Sequence, residues 1–511
     1  MTAPLLLDGR SLTLEDVASV ARPGGRPVSL SAPARASVGA SRAFIEEKVA
    51  SGERVYGVTT GFGRLADVVI PPEDRTALQH NLIRSHAAGM GDPLDAPAVR
   101  AIMLLRANAL ARGHSGCRVE VVERLLDLLN HGIHPRVPRY GSVGASGDLA
   151  PLAHVALALL GEGMAERDGV VGPTAGFLAQ EGLEPLHLEA KEGLALINGT
   201  QATTGLGILA LLAAERALET LEVAGAMSLE ALLGTPEAFR AEIQQARPHP
   251  GQAVSAARLR FHLRDSEIRE SHREGDPRVQ DAYALRCMPQ VHGAARQALG
   301  YVRGILETEA NSATDNPLVF PEAGVVVSGG NFHAQIVSQA LDLLAIAVAD
   351  LASISERRIE RLLNPDLSMG LPAFLTERPG LCSGLMIAQV AAVDSLAELR
   401  VLAHPASVDS VTTSANQEDH VSMGLAAARK ALQAVCCLEQ VVATELMCGA
   451  QGIEFRRPLR AGAGVERAHR LVRGRVAALH EDRVLGPDLD ALVTLVREGD
   501  LARLAPTEDE A

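Results

Sequence analysis

From about Lys191 onward, Leu, Ala and Val recur three and four positions apart over long stretches: Gly193–Leu233, Val291–Asn311, Phe332–Leu363, Met386–Ala403 and Val421–Ile453. That spacing predicts helices. Several stretches exceed twenty residues, and charges interrupt them often enough to speak against membrane spans. Long, Ala-rich helices bury one another as a bundle. Upstream the pattern is broken. Leu12–Val20, Ala36–Val49, Asp74–Ser85, Pro97–Arg112 and Leu152–Leu160 read as helices between Gly-rich loops. Within Tyr56-Gly57-Val58-Thr59-Thr60-Gly61-Phe62-Gly63, three glycines in seven residues predict a loop, either an active-site flap or a connector. Arg264–Asp281 is highly charged and ends in a loop. The tail from Arg456 reads as two or three short helices, and the acidic end Pro506–Ala511 is expected to fray. The expected fold is mostly α. A loop-rich N-terminal domain spans 1–190, a central long-helix bundle 191–455, and a helical tail 456–511.

Composition narrows the function. A chain of 511 residues with 47% hydrophobic residues is globular and can hold more than one domain. A net charge of −14 argues against nucleic acid or an anionic membrane as the main partner. The opening MTAPLLLDGRSLTLEDV has no basic region and no long apolar core, so it is not expected to act as a secretory signal. Six scattered cysteines do not make a disulfide framework. The expected compartment is the reducing cytoplasm.

The densest chemistry lies in Gly141-Ser142-Val143-Gly144-Ala145-Ser146-Gly147-Asp148-Leu149-Ala150-Pro151. The amide nitrogen of Gly147 can attack the carbonyl carbon of Ala145, because glycine has no Cβ in the way. Loss of two waters, one carrying the Ser146 hydroxyl, leaves a methylidene on a five-membered imidazolone. That group is a strong electrophile, which no ordinary side chain supplies. Asp148 reads as a helix N-cap and Pro151 as a first-turn residue. The tripeptide would sit at a positive helix end.

The run GSVGASGDLAPLAH resembles the cofactor-forming segment of the histidine and aromatic amino acid ammonia-lyase family. Members carry a self-made methylidene-imidazolone (MIO). Five further segments are similar to the family in order and spacing, so that the resemblance runs from about Leu12 to about Phe455. It implies an MIO formed from Ala145, Ser146 and Gly147, with no external cofactor. Tyr56 would be a general base, with Glu418 its rival. Asn198, in Glu192–Gln201, would bond near the electrophile and the substrate carboxylate. Gln280 and Tyr283 would line the pocket, and Arg286 would clamp a carboxylate. Tyr283 and Arg286 are also three apart, which puts them on one face of a helical turn. Phe332 would stack near the cofactor. Ser85-His86 and Glu418 match the histidine-selective pattern, whereas Asp419 reads as a surface residue. Thr59 stands where members often have Asn.

The resemblance therefore implies a carbon–nitrogen lyase acting on L-histidine. Non-oxidative deamination would give trans-urocanate and ammonia, the first step of histidine degradation. Members are homotetramers whose active sites draw on more than one chain. A tyrosine or phenylalanine ammonia-lyase, or an aminomutase, would use the same electrophile. A non-catalytic helical scaffold would leave the tripeptide an ordinary peptide. No metal is expected: His131-Gly132-Ile133-His134 has ligand-like spacing but lacks a neighbouring cluster, and Cys436-Cys437 reads as core.

Overall fold

The computed structural model describes residues 3–505, and Pro506–Ala511, the end expected to fray, lies outside them. The described residues form nineteen α-helices and nine strands of two to four residues. The mostly α expectation holds.

By compactness the chain divides into two units. The first is Met1–Leu209, Arg303–Asp342 and Pro405–Arg429; the second is Ala210–Val302, Leu343–His404 and Lys430–Ala511. The sequence ranges follow hydrophobic character along the chain. Compactness groups segments differently, because helices distant in sequence pack together. The four longest helices, Gln201–Ala231, Met288–Ala310, Gln335–Leu363 and Gly424–Glu454, each have residues in both units.

In the first unit the Ala96–Ala111 helix is buried from Ala98 to Ala111 on every side. Its start is fixed by Asp95, whose carboxylate accepts the Ala98 N–H at 3.0 Å, and by Pro97 in the first turn. Thr13 and Asp16 cap Leu14–Ala21 reciprocally. Short ribbons fasten the loops. Leu5–Leu7 runs parallel to Val28–Leu30, and Met90–Pro93 runs antiparallel to Pro138–Tyr140, just ahead of Gly141.

One predicted helix is two. The run expected over Gly193–Leu233 breaks into Glu192–Ile197 and Gln201–Ala231. Asn198 leaves the first helix with φ −90° and ψ 108°, and Gly199 takes φ 156°. The Asn-Gly pair breaks the helical ladder although the apolar spacing continues through it. The other long helices begin and end within three residues of expectation: Met288–Ala310, Gln335–Leu363, Met386–Leu402 and Gly424–Glu454. Gln335–Leu363 and Gly424–Glu454 are long and apolar enough to cross a membrane, yet 61% and 78% of their apolar windows are buried in the protein, as in core helices. The tail holds the helices Ala463–Arg473 and Gly486–Glu498 and the short turn Ala502–Leu504.

In the second unit, buried carboxylates organise the helices. Glu445 receives Ser228 Oγ at 2.7 Å, Ser355 Oγ at 2.6 Å, and Arg358 through Nε at 2.5 Å and Nη2 at 2.8 Å. Glu222 receives Ser255 Oγ and Arg258 Nε, both at 2.6 Å, and Arg296 Nη2 at 3.1 Å. Burial alone would raise the Glu222 carboxyl, but Arg296 and Arg258 hold it at about 2. His292 is fully buried with neither ring nitrogen bonded. Burial, reinforced by the Arg358 charge, lowers it to about 3.

An unfolded chain takes up a proton at His292 below about pH 6.5 that the folded chain refuses down to about pH 3. This residue therefore costs no stability above that window, and the cost grows as pH falls through it. Near pH 5 the cost is on the order of 2 kcal/mol. We expect His292→Leu to lose less melting temperature than the unchanged protein between neutral pH and about pH 5. Equal losses in thermal melts would show that the acid sensitivity arises elsewhere.

Candidate active site

The Leu149–Leu159 helix starts directly after the tripeptide, with Pro151 in its first turn. Asp148 occupies the N-cap position, but its side chain does not cap that helix. The carboxylate turns instead to a second helix. It accepts Thr203 N–H at 2.7 Å, Thr203 Oγ1 at 3.0 Å and Ser142 Oγ at 2.9 Å. Thr203 lies in the first turn of Gln201–Ala231, so Asp148 satisfies an orphan N–H there and faces the positive end of that helix. Burial raises the Asp148 carboxyl, and the hydrogen bonds from Thr203 and Ser142 offset part of that rise.

Gly147 has φ +75°, and a Cβ there would stand 2.2 Å from the oxygen and 2.5 Å from the carbonyl carbon of Gly199. The two glycines form a parallel bridge, and Asp148 N–H donates to Gly199 O at 2.6 Å. On the other side Ser422 Oγ donates to Gly144 O at 3.1 Å, and Met423 N–H to Val143 O at 2.8 Å. Ala145 and Gly147 are buried, while Ser146 is half-buried and lines a cavity. This backbone fits self-cyclisation: it is bare at Gly147, held from both sides, and opens to the cavity only at Ser146.

The cavity is about 670 Å³, and Tyr56, Ser85, His86, Ser146, Asn198 and Glu418 line it. The predicted loop carries Tyr56, whose hydroxyl accepts Gly63 N–H at 3.0 Å. Thr59 closes that turn: its Oγ1 accepts Val55 N–H and donates to Glu53 O, both at 2.9 Å. His86 Nδ1 lies 2.9 Å from Leu82 O, which in the neutral ring puts the proton on that nitrogen and leaves Nε2 as the acceptor. Asn198 Nδ2 donates to Asn316 O at 3.1 Å, while its buried Oδ1 has no partner. Glu418 Oε2 is likewise buried and unbonded. Ser414, Ala415 and Asn416, with φ of 50°, 54° and 67°, set up the turn that presents Glu418. Non-glycine residues in that region cost on the order of 1 kcal/mol each.

Not every expected site residue falls here. Gln280, Tyr283 and Arg286 line a pocket of about 380 Å³ in the second unit, with Arg278 and Arg361. Tyr283 and Arg286 share one helical turn, as their spacing predicts, and the guanidinium sits 4.5 Å from the ring centre. Phe332 is half-buried in the turn before Gln335–Leu363 and does not line the cavity. Asp419 is exposed. His131 pairs with Glu181 at 2.7 Å, and His134 Nε2 meets Arg100 Nη1 at 3.1 Å. Among the described residues no cluster of three or more His, Cys, Asp or Glu is placed to hold a metal.

Sequence reasoning missed the layer beneath the cavity. Arg106 is fully buried and donates to Asn198 O at 2.7 Å. Lys191 and Asp315, both buried, pair at 2.7 Å. The available signal for Arg106 was a charge within the largely apolar run AIMLLRANALA, because a buried arginine must find partners.

The aromatic amino acid lyase family matches residues 12–474. The chain is 53% identical over 505 residues to a histidine ammonia-lyase of Anaeromyxobacter sp. (strain K), covering 97% of this chain and 99% of that protein. It is 54% identical to a histidine ammonia-lyase of Deinococcus radiodurans, covering 99% and 96%. Among solved structures, histidine ammonia-lyase from Trypanosoma cruzi is 44% identical with a TM-score of 0.92, covering 99% of this chain and 96% of that one. A tyrosine aminomutase from Streptomyces globisporus is 39% identical with a TM-score of 0.93, covering 98% of each. The chain belongs to the aromatic amino acid lyase family and is an enzyme of that class.

Asp148→Ala would leave the two buried Thr203 donors without their acceptor, whereas Ser142 Oγ still has Gly147 O at 3.3 Å. Each unsatisfied buried donor costs about 1–3 kcal/mol. We expect a melting temperature lower by several degrees, measured calorimetrically; an unchanged value would mean that these donors find other partners.

Proposed function

We propose that the chain deaminates L-histidine without oxidation, giving trans-urocanate and ammonia, with an MIO formed from Ala145, Ser146 and Gly147. The observation that carries this reading is the cavity that gathers Ser146 with His86, Asn198, Glu418 and Tyr56. Likeness of fold does not choose the substrate, since a histidine ammonia-lyase and a tyrosine aminomutase superimpose about equally well. The polar pair His86 and Glu418 favours an imidazole: His86 Nε2 and Glu418 Oε2 are both open acceptors.

When formed, the group supplies an electrophile for a nucleophile of the substrate, either its amine or its ring. The side chains do the rest. His86 and Glu418 hold the imidazole. Asn198 Oδ1 takes a substrate donor. Tyr56 removes the β-proton once its own proton has left, and Glu418 is the rival base. Arg286 clamps the carboxylate with two parallel bonds, beside Gln280 and Tyr283, and Phe332 stacks near the group. These last residues act in a homotetramer, where one subunit completes the site of another. A stripe of exposed apolar residues on Met386–Leu402 (Ile387, Val390, Val393 and Val401) supports such an assembly. The enzyme works in the cytoplasm on a small-molecule substrate, without nucleic acid, membrane or metal.

Incubation with L-histidine, followed by urocanate absorbance, tests the reading. The unchanged protein should form urocanate and Ser146→Ala essentially none; equal turnover by both would end the mechanism. Urocanate from neither, with cinnamate or coumarate formed from phenylalanine or tyrosine, would move the substrate to those amino acids. Co-expressed Ser146→Ala and Arg286→Lys chains should regain up to about a quarter of normal activity by random mixing. No gain over either variant alone would place Arg286 outside a shared site.

A further inference from the structure

The Asn198–Gly199 peptide is confined from two sides. One contact is Gly147, whose ideal Cβ position falls 2.2 Å from Gly199 O. The other is a buried polar wall built on Arg106. Its Nη1 donates to Asn198 O at 2.7 Å and to Gln201 Oε1 at 2.9 Å. Gln201 Nε2 in turn donates to Thr314 Oγ1 at 2.7 Å. A Cβ on Gly199 would stand 2.4 Å from Gln201 Oε1, 2.5 Å from Arg106 Nη1 and 2.8 Å from Thr314 Oγ1. Gly199 therefore has no room to retreat from Gly147.

Arg106 makes no ion pair among the described residues. Asp315 attracts it electrostatically but is bonded to Lys191 Nζ at 2.7 Å. Nε and Nη2 of Arg106 are buried with no acceptor at all. Burying a guanidinium without a contacting carboxylate is unfavourable. Such a cost persists where a backbone must be held in one geometry.

We propose that Arg106 is a positioning residue for the cyclisation of Ala145-Ser146-Gly147: it fixes the Asn198–Gly199 peptide against which the Gly147 backbone is held. The inference rests on the reading that this tripeptide cyclises. In that reaction Gly147 N bonds to the carbonyl carbon of Ala145. The carbonyl oxygen leaves as water with the N–H protons of Gly147 and Ser146, and a C=N bond forms to Ser146 N. The Ser146 hydroxyl leaves as a second water with the Ser146 α-proton, and a C=C bond forms. No oxidant or reductant is needed. Without Arg106 the Gly199 peptide can relax and Gly147 with it, so the nitrogen loses its approach to the carbonyl.

The test is the mass of the peptide containing residues 145–147, released by proteolysis from the purified full chain, together with its near-ultraviolet absorbance. The unchanged protein should lack two waters, and Ser146→Ala marks the chain that cannot form the methylidene. In folded Arg106→Gln the dehydrated fraction should fall about tenfold or more. Arg106→Lys keeps a cation and a donor, and should recover part of it. Complete dehydration in folded Arg106→Gln overturns the proposal; if that protein still turns histidine into urocanate, the proposed function stands alone. Where Arg106→Gln does not fold, Arg106→Lys decides: reduced dehydration supports the role and full dehydration overturns it. An unchanged protein that keeps both waters overturns the role and the MIO reading together.

Discussion

The contact of Gly147 with Gly199 is the constraint on which the rest of the site depends. The two peptide planes cannot approach this closely if Gly147 carries a Cβ, and a Cβ on Gly199 would collide with Gln201 Oε1 and Arg106 Nη1 on its other side. The contact explains the break in the helical run at Asn198. A continuous helix would hide the Gly199 carbonyl in its own ladder, whereas the break frees it to accept Asp148 N–H at 2.6 Å. It also explains Asp148, which joins the tripeptide to the start of Gln201–Ala231 through Thr203. Residues 55 apart in sequence, Asp148 and Thr203, are thus locked together, with the backbone contact of Gly147 and Gly199 beside them.

The polar groups under this contact form a graded set of partners. Asp148 has three donors and no cation in contact. Lys191 and Asp315 compensate each other. Arg106 has carbonyl and amide acceptors only. In a low-dielectric interior each satisfied bond is strengthened and each missing one is costly, so the network has few alternative arrangements. Rigidity of that kind suits a site whose electrophile is made from main chain, because the reacting atoms have no rotamers with which to correct an error.

Much of the fold was legible because hydrophobic spacing reports burial on one face. Leu14–Ala21, Arg75–His86 and the long helices appear close to where the pattern puts them. The pattern could not reveal the break at Asn198, since apolar residues continue on both sides of it. Nor could it assign Asp148: an aspartate before a helix reads as that helix's cap, and only three-dimensional proximity shows that it serves another. The cavity residues Tyr56, His86, Asn198 and Glu418 were found through motif resemblance, not spacing. Gln280, Tyr283 and Arg286 lie in a different compact unit from that cavity, a division that no local sequence feature announces. Arg106 was legible only as a charge within a largely apolar helix.

The state of the cavity acceptors bears on substrate choice. Asn198 Oδ1 and Glu418 Oε2 are buried and unbonded, while His86 has turned its proton toward Leu82 O. A cavity with three open acceptors is penalised by any occupant that brings no donor. A phenyl ring would desolvate Glu418 further and return nothing, at about 1–3 kcal/mol per unsatisfied group and more for a charged one. An imidazole presents an N–H on the ring itself, and an ammonium or amine presents more beside it. Sites built to bond a polar group reject apolar isosteres far more strongly than apolar pockets reject polar ones. The selectivity for histidine over phenylalanine would then arise less from attraction to the imidazole than from the cost of leaving Glu418 alone with a benzene ring.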